Sequence, residues 1–517
     1  MVAYIFRRLG ILSVILFGSS FILFNLAAIS GDPLEGLRTS TEPNAKQQML
    51  ALTRTLQLDV PPPLRYFLWL KGILAGFTGH IDFGKTRDAQ LVSSAIATAI
   101  PTTIRLVFFA TITAIVLGIT IGIVTALRQY SRFDYAMTFV SFLMFSLPIF
   151  WVAVLLKEFL AIQFNNFLAN PQIPVGWIIG LSAVSGVIWA AVISGDRKRV
   201  WQIFGVVAVG TAALLSLLSF TSWFAKPALG PIVVFGFSIG IAYGVTQLST
   251  GLQNKAALRS AQAMAVIALV LYYPNQWLFN HYASGFLILG QLVVTVAIAF
   301  AVGLKFAKID RAPTIRTAAI TGFIIGIITL LDKFMQTWNP YMSTDAVNFR
   351  PIPTSGQVNP LLEPGNFWFT WLDILVHMIL PTIALTLISF AGYIRYSRGT
   401  LLEVLNQDYI RTARAKGLNE RTVIMRHAFR NTMIPLTTIM VVDFAGLIGG
   451  AIITERVFGW IGMGTLFNKA INSFDLNLLM AVFFITASLS VIANLVADLL
   501  YSALDPRIRA GKGVSHG

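Results

Sequence analysis

Gly79-His80-Ile81-Asp82-Phe83-Gly84-Lys85-Thr86 satisfies GxxxxGKT, the spacing with which backbone N–H groups and a lysine cradle nucleotide phosphates. Such a loop needs a buried strand before it and a helix directly after it, whereas this stretch follows an aromatic run, Tyr66 to Phe77, on the expected outer face. No nucleotide site is expected there; nucleotide cross-linking to Lys85 in the isolated chain would reverse that. The five histidines, His80, His281, His377, His427 and His516, show no i, i+4 pair and no carboxylate cluster, so no metal site is expected, and His377 reads as a residue leading into a helix. Cysteine is absent, which excludes disulfides and thiolate metal sites. Asp443 stands inside an apolar run, where an ionisable group is costly and usually faces a cavity or a partner. Two readings stand side by side: a carboxyl kept neutral or hydrogen-bonded between helices, and a group lining a pathway. Lys157 and Glu158, near the outer end of their helix, are expected to snorkel.

The elements holding these residues follow from composition. The 517 residues are 56% hydrophobic and only 12% charged, with mean hydropathy +0.74. That is more apolar surface than one soluble core could hide, so lipid must be the main solvent. Backbone polar groups go unsatisfied in hydrocarbon, and the apolar runs are helix-length, which makes the expected fold all-α and membrane-embedded. The formal net charge of +16 falls in short clusters between apolar runs, a topological pattern rather than a nucleic-acid surface. Leu9 to Ala28 follows Arg7 and Arg8 as a signal peptide would, but it is long and poorly furnished for cleavage, so it reads as a first spanning helix.

About twelve crossings are expected, near residues 5–29, 102–127, 136–162, 174–194, 201–222, 231–248, 261–279, 284–304, 317–332, 372–394, 433–453 and 479–501. With a cytoplasmic N-terminus, the even-numbered crossings should end on basic loops, and Arg128 and Arg132, Arg197 to Arg199, Lys255 and Arg259, Lys305 to Arg316, Arg395 and Arg398, and Arg507 and Arg509 fall there. Both termini are then cytoplasmic. The long outer loop 31–100 holds a helix-compatible stretch, Asn44 to Leu58, the breaker Pro61-Pro62-Pro63, and the aromatic run, too short to span and expected at the outer interface.

Between the tenth and eleventh crossings, residues 395–432 are too patterned for a simple connector. Good helix formers run from Gln407 to Lys416, Gly417 can take the left-handed conformation that ends a helix, and Asn419 is a favoured N-cap for a second one. That second helix offers Val423, Ile424 and Ala428 as an apolar stripe, with Arg421, Arg426 and Arg430 free to face water or an acidic partner. The segment Arg411-Thr412-Ala413-Arg414-Ala415-Lys416-Gly417 resembles the EAA loop, the coupling element of ABC importer permeases, with Arg in place of the leading Glu. Asp408-Tyr409-Ile-Arg-Thr-Ala-Arg-Ala-Lys-Gly-Leu418, followed by Arg426-His-Ala-Phe-Arg-Asn431, is similar to the dipeptide, oligopeptide and nickel branch. So are His377 to Pro381, Gly449-Gly450 with Glu455-Arg-Val-Phe458, and Leu504-Asp-Pro-Arg507.

The resemblance implies a six-helix ABC importer permease core split by a six-helix insertion: core residues 1–162, insertion 163–350, core residues 351–517. An even number of inserted crossings leaves the core topology undisturbed. The insertion, with its Gly236, Gly240 and Gly244 ridge suited to close helix packing, is expected to be a packing or partner-binding module. The resemblance further implies a permease of peptides or similar small solutes in the bacterial cytoplasmic membrane, not itself an enzyme. Its implied partners are a second permease subunit, two ATPase subunits that use ATP and Mg, and an extracytoplasmic solute-binding protein, besides membrane lipid. The chain itself is expected to bind no cofactor and no nucleic acid. The implied coupling residues are Asp408, Tyr409, Arg411, Thr412, Ala413, Arg414, Ala415, Lys416, Gly417, Arg426 and Asn431; Asp443, on which the resemblance is silent, and Glu455 are the pathway candidates. The competing readings are a self-sufficient secondary transporter, for which one mid-membrane acid is thin support, and a membrane ATPase resting on the GxxxxGKT pattern.

Overall fold

In hydrocarbon a lone helix satisfies its own backbone, and helices are what this chain forms. The structure, a computed structural model, describes residues 2–79, 81–193, 195–307 and 311–504; His80, Lys308, Arg507, Arg509 and His516 lie outside them. Among the described residues ten helices are long and apolar enough to cross a membrane, eleven if Lys255–Val270 and Tyr272–His281, bent by 51°, form one span. The protein is therefore an all-α, multi-pass membrane protein, with ten or eleven such helices against about twelve expected. The remaining expected crossing coincides with Phe429–Gly450, which contains Arg430, Pro435 and Asp443 and stands outside that count.

The expected third crossing is not one straight helix. Ser131 caps Arg132–Ser146 by accepting the Asp134 N–H at 3.2 Å, the chain breaks at Leu147-Pro148, and Ile149–Leu156 then runs into a π-helical turn, Lys157–Gln163.

The chain divides into two compact units, Met1–Phe159 with Thr354–Gln357 and Met378–Gly517, and Leu160–Pro353 with Val358–His377. In the first, Phe24, Tyr66 and Trp69 share a core with Met463, Leu466 and Leu478. The aromatic run, expected at the interface, forms the helix Pro62–Leu74 and docks on the first helix. Tyr66 is fully buried against Phe21 and Phe24, and its hydroxyl meets that of Ser20 at 2.8 Å, which satisfies its polar tip. Val92–Leu127 and Phe367–Leu405 approach so closely that a Cβ on Gly122 would overlap the Ser397 hydroxyl.

In the second unit, Val175–Ile193 and Arg197–Phe220 form a hairpin joined by a Thr211–Ser185 hydroxyl contact of 3.1 Å. Gly230–Ser249, Lys255–Val270, Gly285–Phe306 and Arg311–Met342 pack around Met264, Ala265, Ala299, Ala318 and Ile325. Asp332 is completely buried. It accepts hydrogen bonds from the Leu229 N–H at 2.7 Å, the Tyr272 hydroxyl at 2.5 Å and the Gln336 amide at 2.9 Å, so its desolvation is compensated by the chain itself. Among the described residues nothing packs on the ridge Gly236, Gly240 and Gly244, because the buried face of its helix is instead Val234, Ser238, Ala242 and Thr246.

Candidate functional site

Residues 408–428 fold into a helical elbow. Asp408–Ala415 forms the first arm, and the Thr412 hydroxyl bonds back to the Asp408 carbonyl at 2.9 Å. The arm ends at Gly417, whose φ is +78°. The Gly417 N–H bonds the Arg414 carbonyl at 2.9 Å and the Leu418 N–H the Ala413 carbonyl at 3.4 Å, the two bonds of a Schellman ending. Asn419 then caps the second arm by accepting the Thr422 N–H at 2.8 Å. That arm, Glu420–Thr422 followed by a π-helical stretch Val423–Ala428, continues directly into Phe429–Gly450. No loop separates the elbow from that helix.

Burial sorts the elbow into a seat and a presented face. Ile410, Ala413, Val423 and Ala428 are buried with Ala126 and Leu401, which seats both arms on the ends of Val92–Leu127 and Phe367–Leu405. Asp408, Tyr409, Arg411, Thr412, Arg414, Ala415, Lys416, Gly417 and Arg426 are exposed, and Asn431 is half-buried. Arg414 forks onto Glu420 across the glycine, Nη2 to Oε1 at 2.7 Å and Nε to Oε2 at 3.2 Å, and this hydrogen-bonded guanidinium holds the Glu420 carboxyl below its usual range. The fork braces the angle between the arms. Of the expected stripe, Val423 and Ala428 are buried and Ile424 half-buried, while Arg421, Arg426 and Arg430 face outward.

Two arginines read from sequence only as topological markers have structural tasks here. Arg398 forks onto the buried Asp134, Nε to Oδ1 at 2.8 Å and Nη2 to Oδ2 at 3.0 Å, and Asp134 also accepts the Tyr130 N–H at 3.0 Å. Burial pushes the Asp134 carboxyl up, but these hydrogen bonds outweigh it and hold the group below its ordinary value. Arg395 lies 3.9 Å from the centre of the Phe145 ring. Both contacts clamp Arg132–Ser146 to the helix that leads into the elbow.

Away from the elbow, Glu455, expected to line a pathway, is completely buried, and both its oxygens are taken by the chain. The Thr103 hydroxyl donates to Oε1 at 2.7 Å and the Thr465 N–H to Oε2 at 2.8 Å, while Thr103 accepts the Met463 N–H at 2.8 Å. Glu455 thus ties the turn between Ile452–Phe458 and Met463–Asn472 to Val92–Leu127. Lys157, expected to snorkel, has a partner within the chain: its ammonium donates to the Val457 carbonyl and lies 5.4 Å from the Phe458 ring centre, helping to satisfy the end of the short helix. Asp443 is exposed on Phe429–Gly450, beside the Tyr393 hydroxyl. His377 is buried within its helix rather than leading into it, with Nδ1 2.7 Å from the Asp373 carbonyl oxygen. A 3-10 turn, Ala75–Thr78, precedes the GxxxxGKT stretch where a phosphate loop would have a strand; Lys85 bridges to Leu91, the Thr86 N–H bonds the Gln90 carbonyl at 2.8 Å, and the next helix starts only at Val92. Lys85 and Thr86 are therefore not at a helix N-terminus, as a phosphate loop requires.

Residues 118–510 match the family of the binding-protein-dependent transport system inner membrane component. Similar proteins include the oligopeptide transport system permease protein OppB of Mycobacterium tuberculosis, 36% identical over 187 residues that cover 36% of this chain and 55% of that one. The oligopeptide permease AppB of Bacillus subtilis is 38% identical over 206 residues, 39% of this chain and 60% of its own. The dipeptide permease DppB of Escherichia coli is 43% identical over 150 residues, 29% of this chain and 43% of its own. The chain spans about half the length of the curated relatives it matches. The family match runs through the elbow and covers most of the sequence, and on that ground this chain belongs to the binding-protein-dependent transport system inner membrane components.

Proposed function

We propose that the chain is the permease subunit of an ATP-binding-cassette importer that moves peptides or similar small solutes across the cytoplasmic membrane by alternating access. The elbow 408–428 is its coupling element, seated by a partner ATPase, and both termini are cytoplasmic. A second permease subunit, two ATPase subunits holding ATP and Mg, and an extracytoplasmic solute-binding protein complete the assembly. The observation that carries this reading is the elbow: a short braced lever, exposed on one face, seated on two membrane helices by the other, and continuous with the helix Phe429–Gly450. A stiff lever of this kind can pass a rigid-body movement into a helix bundle. The peptide assignment is supported by the named functions of the oligopeptide and dipeptide permeases above.

The test separates coupling from folding. A Cβ at residue 417 has open space around it, so Gly417→Val acts through its positive φ alone, at a cost of about 1–2 kcal/mol, whereas Gly417→Asn tolerates that conformation. In the reconstituted transporter, Gly417→Val should insert normally and leave ATP hydrolysis running while solute uptake falls, with Gly417→Asn close to wild type. Unchanged uptake by Gly417→Val would remove the lever from the mechanism.

A further inference from the structure

The second unit contains a cavity of about 260 Å³ between Lys255–Val270, Tyr272–His281, Gly285–Phe306 and Arg311–Met342. It exists because the first two helices diverge by 51° while Gly322 and Gly326 thin the facing wall. The bend is held in place: Tyr272, its first residue beyond the break, donates to the buried Asp332, which also accepts from Gln336 on its own helix. Ile267, Leu271, Phe279 and Ile325 are among the apolar side chains lining the space, and no charged side chain lines it among the described residues. Its polar groups include Asn275 and Gln291, whose amides contact each other at 3.5 Å. The wall continues onto the outside of the chain, since Leu289, Val294, Phe323 and Ile327 line the cavity and yet are 60%, 56%, 45% and 43% exposed.

We propose that this cavity binds an acyl chain of a membrane lipid. A vacant apolar cavity is destabilising, and here the solvent next to its opening is hydrocarbon. An acyl chain fills it without bringing a charge or an unsatisfied polar group into it, and the Asn275–Gln291 pair is the place for a lipid ester. An ion or a charged peptide finds no counter-charge there. The inference needs only the membrane embedding of the unit and does not rest on the importer reading.

The test uses the full chain in vesicles containing a phospholipid with a photoreactive diazirine midway along one acyl chain. After irradiation, labelled positions are mapped by mass spectrometry, with Val206, 74% exposed on Arg197–Phe220, as the reference for ordinary lipid contact. Label should concentrate on Ile267 and Ile325 above the level at Val206. Gly326→Phe, whose added side chain starts in open space, should lower that labelling about ten-fold by excluding several methylenes, and leave Val206 unchanged. Ala268→Phe fills the space from the opposite wall and serves if thermal unfolding shows the first variant misfolded. Uniform labelling, or cavity labelling that survives the filling variant, overturns the site. So does absence of label in the wild-type cavity, the result expected if a helix of another protein occupies it.

Discussion

At the scale of single residues, a pair far apart in sequence ties two helices together. Asp134 and Arg398 are 264 positions apart, and nothing near either residue announces the other. Charge clustering alone made Arg398 a topological marker, and Asp134 drew no notice as one acid beside a basic loop. Asp134→Ala should cost about 2 kcal/mol, because a hydrogen-bonded guanidinium and a backbone N–H lose their acceptor, and thermal unfolding in detergent measures it. The carboxyl's folded value lies below its ordinary 3.8, so its contribution is complete above that value and disappears as pH falls through the lower folded value. The wild-type advantage over Asp134→Asn should therefore shrink under strong acid, below about pH 4, and be constant near neutrality. Asp443 is a different case, legible from sequence as a costly charge in an apolar run and exposed in the structure beside a buried tyrosine. If it faces the solute path, Asp443→Asn should reduce uptake of cationic solutes more than neutral ones, whereas equal uptake of both would exclude that role.

At the scale of elements, legibility followed locality. The elbow's turn was readable because Gly417 and Asn419 act within a few residues of themselves, and the structure shows the left-handed glycine and the asparagine cap. The break in the third crossing was present as Leu147-Pro148 but was submerged in a continuous apolar run. The docking of Pro62–Leu74 was hidden for another reason: the partners of Tyr66, Ser20 and Phe24, lie on another helix about forty residues away in sequence. Glu455 could be read as a pathway acid only while its acceptor role toward Thr103 and Thr465 was unseen. Glu455→Ala strands a hydroxyl and an N–H and should destabilise the protein by about 2–4 kcal/mol. In the second unit Asp332→Ala should cost about 3 kcal/mol and loosen the bend at Leu271, seen as faster hydrogen exchange across Tyr272–His281.

For the whole molecule, the all-helical, multi-pass character was dictated by composition, since 56% hydrophobic residues in helix-length runs admit little else. How many of those runs form single straight spans was not, because a bend and a break are decided by packing. The proposed coupling role has a consequence for topology: an elbow that meets a cytoplasmic ATPase must share one side of the membrane with the basic loops. The chain contains no cysteine, so one introduced thiol reports from one place. The most direct test of the coupling role is Lys416→Cys, on the exposed face of the elbow, in the assembled transporter. A short bifunctional thiol reagent should join it to the ATPase subunit, nucleotide should change the yield, and a membrane-impermeant thiol reagent added outside intact cells should not reach it. Labelling from outside, or no cross-link to the ATPase in any nucleotide state, would contradict the account.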